Sequence, residues 1–120
     1  DNNVDITFSD GGGHVSSMIL QVEKYTVSTL QNGTFSEGLS AWQPLGNYGT
    51  VCVQTDNAGN NVACISGHAG LMQRVDMESG RTYRFSADVK TEGACKLKSH
   101  ATGYVYRNGI YRGIFFSRQL

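Results

Sequence analysis

Between Arg81 and Lys90 the chain alternates strictly, with Tyr83, Phe85, Ala87 and Val89 set against Arg84, Ser86, Asp88 and Lys90. A period of two with one apolar face is what a strand needs when it covers a core on one side and meets water on the other. Wound as a helix, the same residues leave no apolar stripe. Glu78-Ser79-Gly80 is a turn signal that starts this strand sharply. Shorter stretches repeat the pattern. Val4, Ile6 and Phe8 alternate with Asp5 and Thr7, and Asp10-Gly11-Gly12-Gly13 then breaks the strand, because a glycine run is entropically costly inside an element. Val15 to Val27 reads as a buried strand rather than a helix, since Val22, Thr26 and Val27 are β-branched and neither end carries a cap.

Further along, Gly38 to Trp42 follows a turn-rich connection, and Gly46-Asn47-Tyr48-Gly49 predicts a loop. Thr50–Thr55 and Asn61–Ser66 flank Asp56–Asn60 and predict a hairpin. Gly67-His68-Ala69-Gly70 predicts a break before Leu71–Met77 leads into the central strand. Past Glu92-Gly93, the residues Cys95, Leu97, Ser99, Ala101, Gly103 and Val105 share one face. Asn108-Gly109 predicts a type I′ hairpin pairing Arg107 with Ile110 and Tyr106 with Tyr111. That turn would place Tyr104, Tyr106, Tyr111 and Phe115 on a common face. Short strands between glycine-rich turns make an all-β protein, an antiparallel β-sandwich or jelly roll.

Composition agrees and narrows the function. The 120 residues suffice for one domain with its own core, and fifteen Gly with one Pro suit a β fold. Ten basic and ten acidic residues cancel, which gives no electrostatic reason to expect nucleic acid or an anionic membrane. No apolar run approaches the roughly 20 residues of a membrane span. The chain starts at Asp1 without an initiator Met or a leader, as expected of a processed product or an excised piece. Asn32-Gly33-Thr34 reads as an Asn-Gly turn, and as a glycosylation acceptor only on a eukaryotic secretory route.

Two stretches carry a family resemblance. Asn32-Gly33-Thr34-Phe35-Ser36-Glu37-Gly38-Leu39-Ser40-Ala41-Trp42 resembles the opening of jelly-roll carbohydrate-binding modules of families four and nine, which runs Asn-Gly-x-Phe-Glu-x-Gly-Leu-x-x-Trp. Gln73-Arg74-Val75, followed by Gly80-Arg81-Thr82-Tyr83-Arg84-Phe85-Ser86-Ala87-Asp88-Val89-Lys90, is similar to that family's Gln-x-Val and Gly-Lys-Thr-Tyr-x-Phe-Ser-Ala-x-Val-Lys. The order of segments departs from the family. Val22 to Val27 resembles the closing strand and Asn3 to Phe8 the strand before it, yet both precede the opening motif. One domain then holds closing-type strands in 1–30 and opening-type strands in 31–120. A circular permutation, a piece cut across a tandem array, or a subunit exchanging strands with a neighbouring copy each accounts for this order.

The resemblance implies a non-catalytic polysaccharide-binding module on an extracellular, cell-surface or virion-surface protein. The alternative is a structural subunit of a fibre, phage tail or surface assembly, held as a homo-oligomer or filament by strand exchange. Catalysis finds little support: the acids are scattered, and His14, His68 and His100 lack metal-site or triad spacing. Aromatic faces stack on the C–H faces of pyranoses while polar neighbours bind hydroxyls. Tyr104, Tyr106 and Tyr111, with His100, Lys98 and Arg84, form the expected platform; alternatively the tyrosines are cross-strand pairs stabilising the hairpin, or pack a neighbouring copy. Trp42 is expected in the core. No cofactor is required, but the resemblance implies a structural calcium held by a Glu of the opening motif and an Asp of the closing strand. Ser36 stands at the Glu position, with Glu37 one residue late, and Glu23 stands at the Asp position. Three cysteines are an odd count. Cys52 and Cys64, symmetric about Ala58, either form a cross-hairpin disulfide or stay as free thiols, and Cys95 reads as core.

Overall fold

A computed structural model describes residues 2–9, 12–22, 29–78, 80–99 and 102–119. The described residues form six strands and no helix: β1 (Asn2–Ser9), β2 (Gly13–Val22), β3 (Gln43–Thr55), β4 (Asn61–Met77), β5 (Thr82–Ser99) and β6 (Thr102–Gln119). Every pairing is antiparallel. β4 and β5 are long enough to be shared. β2 pairs with their first halves, and β1 with the second half of β4 and the end of β5. The result is an antiparallel sandwich whose central strands β1, β4, β2 and β5 close on one another. β3 and β6 add to its sides.

The core lies inside this closure. On β5 the residues Tyr83, Phe85, Ala87, Val89, Cys95 and Leu97 are buried, as the alternation requires. They meet Ile6 and Phe8 of β1, Val15 and Met18 of β2, and Ile65, Leu71 and Val75 of β4. Phe8 and Phe85 pack with ring centroids 6.1 Å apart in a tilted arrangement. The strands β1 and β2, the front of the polypeptide, pair with β4 and β5 of their own chain.

The segment before β3 caps one end of the core through its side chains. The Asn32 amide donates to the carbonyls of Gly38 and Ser40 at 3.0 and 2.8 Å, while its oxygen accepts the Glu37 N–H at 3.2 Å. With both amide hydrogens used inside the loop, Asn32 acts as a turn organiser rather than a glycosylation acceptor. Its own carbonyl accepts the Trp42 indole N–H at 3.0 Å, and Trp42 packs on Phe35 at 5.7 Å. Trp42 is buried, as expected. Gln73, buried on β4, completes the anchor: its Nε2 donates to the Gln31 carbonyl at 2.9 Å and its Oε1 accepts the Gln31 N–H at 2.8 Å. The Asn, Phe, Trp and Gln of the opening motifs therefore fix the fold.

Three local expectations are corrected. Gly46–Gly49 is not a loop but part of β3, with a bulge at Gly46 and Asn47, and Gly67–Gly70 lies inside β4 rather than breaking it. Glycines here permit close backbone approach: a Cβ on Gly46 would sit 2.1 Å from the His68 carbonyl oxygen. Asn108-Gly109 makes no hairpin either. β6 runs straight through it, so Tyr106 faces Cys95 and Tyr111 faces Val89 in register, instead of each other. Glu92 and Gly93 form a bulge opposite Asn108, and the Thr91 hydroxyl accepts the Gly109 N–H at 2.9 Å. Long-range pairing with β5 has overridden the local turn preference.

Candidate functional site

The described residues enclose a cleft of about 470 Å³ where the β3–β4 turn leans over the β2, β5 and β6 strands. Its size falls in the range of small-ligand sites. One wall is the turn itself, built by Asp56. The Asp56 Oδ1 accepts the N–H groups of Ala58 and Asn60 at 3.0 and 2.8 Å, and its own N–H donates to the Asn60 carbonyl at 2.8 Å. This Asx turn, helped by Gly59 at φ +86°, leaves the Asn57 and Asn60 side chains at the rim.

Register assembles the opposite side. His14 of β2 is directly opposite Cys64 of β4 on one side and Lys90 of β5 on the other, while Lys90 is opposite Ile110 of β6. Cys64 is in turn opposite Cys52 of β3. Directly paired residues share a sheet face, so Cys52, Cys64, His14, Lys90 and Ile110 form one row across five strands. Ser16, at the bulge of β2, and Asp88 add a hydroxyl and a carboxylate. Val89, buried, lies at the base.

Tyr111, in register with the buried Val89 and half-buried against the core, borders the cleft with its ring. Its hydroxyl donates to the Arg107 carbonyl at 2.7 Å and accepts the Arg107 N–H at 3.2 Å. The ring lies against Gly109, where a Cβ would meet three ring atoms at 3.3 Å. The ring is therefore held in place before any ligand arrives. Chemically the cleft offers part of one fixed aromatic ring, the side chains of two Asp, one Lys and one His, and two amides, a set suited to a polyhydroxy ligand.

Of the residues expected to bind sugar, Tyr111 lies in this cleft and Arg84 does not line it. Arg84 is exposed on β5, opposite Gln21 and Ser117. Tyr104 and Tyr106 are placed on β6 opposite Leu97 and Cys95, and His100 lies outside the described residues. Of the expected calcium ligands, Glu37 is exposed in the opening loop and Glu23 lies outside the described residues. Among the described residues no cluster of three or more His, Cys, Asp or Glu could hold a metal ion. Cys52 and Cys64 are free thiols, with the Gln54 amide near both: its Nε2 lies 3.7 Å from Cys52 Sγ, and Cys64 Sγ donates to its Oε1 at 3.6 Å. Burial, and then the neighbouring Cys52, push the Cys64 thiol pKa up. His14, Ser16, Asp88 and Lys90 escaped sequence reasoning because only long-range register brings them together. Tyr48, 83% exposed beside the β3 bulge, is hidden by its assignment to a loop.

Comparison with known proteins follows this geometry. Beta-porphyranase A of Phocaeicola plebeius is 84% identical over 125 residues, covering 97% of this chain and 17% of that protein. The chain thus spans a small fraction of its curated relative. No solved structure matches it significantly. The profile of the Carbohydrate binding domain family matches residues 27–114, from just before the opening motif into β6. That match covers well over half of the polypeptide and every strand from β3 onward apart from the end of β6: the chain belongs to the Carbohydrate binding domain family.

Proposed function

We propose that this chain is a non-catalytic, extracellular polysaccharide-binding module of a larger carbohydrate-active protein, and that it holds its glycan in the cleft beside Tyr111. The observation that carries this reading is convergence. A fixed aromatic ring and several polar groups from three strands and one turn meet in a cleft of about 470 Å³, on a domain of a carbohydrate-binding family. A pyranose stacks its C–H face on Tyr111, while Asn57, Asn60, Asp88 and Lys90 exchange hydrogen bonds with its hydroxyls. Porphyran is the first glycan to test, because the relative that shares this domain is named a porphyranase.

Affinity electrophoresis in gels containing porphyran, with isothermal titration against its oligosaccharides, tests the proposal. Wild type is expected to be retarded, and an Asn57→Ala/Lys90→Ala double variant to lose at least tenfold in affinity. Both side chains belong to exposed or rim positions, so circular dichroism should match wild type. Arg84→Ala separates this cleft from the far end of the same β5 face, where Arg84 lies: loss in that variant, with the double variant unaffected, would move the site. Absence of retardation by porphyran and by a panel of neutral and anionic glycans would overturn the proposal.

A further inference from the structure

The outer face of β3 and β4 carries a feature that core packing does not require. Tyr48 is 83% exposed, directly after the two-residue bulge of Gly46 and Asn47 opposite Ala69, and its direct partner is the exposed His68. Glycines hold the backbone there. A Cβ on Gly49 would lie 2.3 Å from the Ser66 carbonyl oxygen, and one on Gly67, at φ +72°, 2.8 Å from the Tyr48 carbonyl oxygen. A strand built from glycines loses conformational entropy and packing surface. Bulges re-aim side chains, and this one sets an aromatic ring in water.

The next rungs continue the same face. Thr50 and Ser66 are directly paired, with hydroxyl oxygens 2.8 Å apart, and Cys52 and Cys64 follow. The Cys52 rung is the row that continues through His14 to Lys90 at the cleft. Tyr48, the hydroxyl pair and the cleft thus lie on one sheet face. With about 3.3 Å per residue along a strand and about 4.8 Å between strands, roughly 20 Å separates Tyr48 from Lys90.

We infer that Tyr48 and His68 form a second glycan subsite, on which a pyranose further along the same polysaccharide stacks while Thr50 and Ser66 bind its hydroxyls. The inference rests on the reading of the chain as a glycan-binding module, but it places the contact outside the cleft. The ring supplies the apolar surface, the imidazole and hydroxyls supply directional bonds, and the ring stands exposed beside the bulge. Two subsites on one glycan act together only when the glycan spans the distance between them. A disaccharide does not; a longer chain does.

The test is titration of the 120-residue chain with porphyran di-, tetra- and octasaccharides, comparing wild type, Tyr48→Ala, Tyr48→Phe and the Asn57→Ala/Lys90→Ala variant. Wild-type affinity should rise at least tenfold from the short to the long ligands. Tyr48→Ala should abolish that rise and leave disaccharide binding unchanged, while Tyr48→Phe, which keeps the ring, should preserve it. If Tyr48→Ala matches wild type at every length while the cleft variant loses binding, the second subsite is overturned and the cleft reading stands. If Tyr48→Ala loses binding and the cleft variant does not, the cleft reading fails and the Tyr48 site remains. Absence of wild-type binding at any length overturns both.

Discussion

The Cys52–Cys64 pair invites a perturbation whose size follows from the fold. The two residues are directly paired across β3 and β4, and Gln54 reaches both sulfurs. Oxidised glutathione should convert them to a disulfide in two exchanges. Cys52, the exposed thiol, attacks first and releases one glutathione; Cys64 then displaces the second from the mixed disulfide. The bond would close a loop of about a dozen residues, for which chain entropy gives about 3 kcal/mol of stabilisation. For a domain of this size that corresponds to a rise of about 10 °C in Tm. Differential scanning calorimetry of reduced and oxidised protein reads the shift, and intact mass reports the loss of two hydrogens. Cys52→Ser should melt at one temperature under both conditions. The buried Cys95 should remain unmodified in the folded protein. A confirmed disulfide that moves Tm by less than about 2 °C would refute the entropic reasoning; oxidant that leaves the mass unchanged would refute the pairing.

Two further outcomes follow from the described geometry. Burial and the neighbouring Cys52 raise the Cys64 pKa above its ordinary 9.0, so the folded state holds this proton more tightly than the unfolded state does. Its stabilising effect is therefore complete below that value and is lost as pH rises through the folded pKa; urea melts of reduced wild type should weaken on the alkaline side more steeply than those of Cys64→Ser, and equal slopes would count against it. Gln73→Ala leaves the Gln31 N–H and carbonyl without their buried partner, at a cost of about 1–3 kcal/mol in chemical denaturation; a loss below about 0.5 kcal/mol would mean that water replaces the amide.

The parts of this molecule legible in its sequence are those where one residue reports on its own surroundings. The alternation from Tyr83 to Val89 states which face of β5 is buried, and Asp56 to Asn60 announces a turn. Cys95, on the apolar face with Leu97, is core for the same reason, whereas Trp42 is expected there from the family resemblance. What escaped was set by partners far along the chain. Asn108-Gly109 carries a strong local turn preference, but Thr91 binds Gly109 and β5 supplies a bulge to match, so pairing along the whole strand outweighs the turn. Gly46, Gly49, Gly67 and Gly70 read as interruptions because glycine weakens a strand. In this sheet they are the positions where two backbones come too close for a side chain. The cleft shows both situations. Tyr111 is singled out only through a hairpin that the fold does not make, whereas His14 reaches the cleft only because β2 lies between β4 and β5.

The mutual closure of β1, β4, β2 and β5 also orders events during synthesis. Within this domain β1 leaves the ribosome before the other strands, but its partners Arg74 and Ser99 appear only after most of the domain has been made. Until then Ile6 and Phe8 have no interior to enter and remain available to chaperones or to a neighbouring nascent chain. Folding is thus expected to be late and slow, dominated by contacts between distant residues. An interruption of translation before β5 is complete would release a polypeptide unable to bury its leading segment.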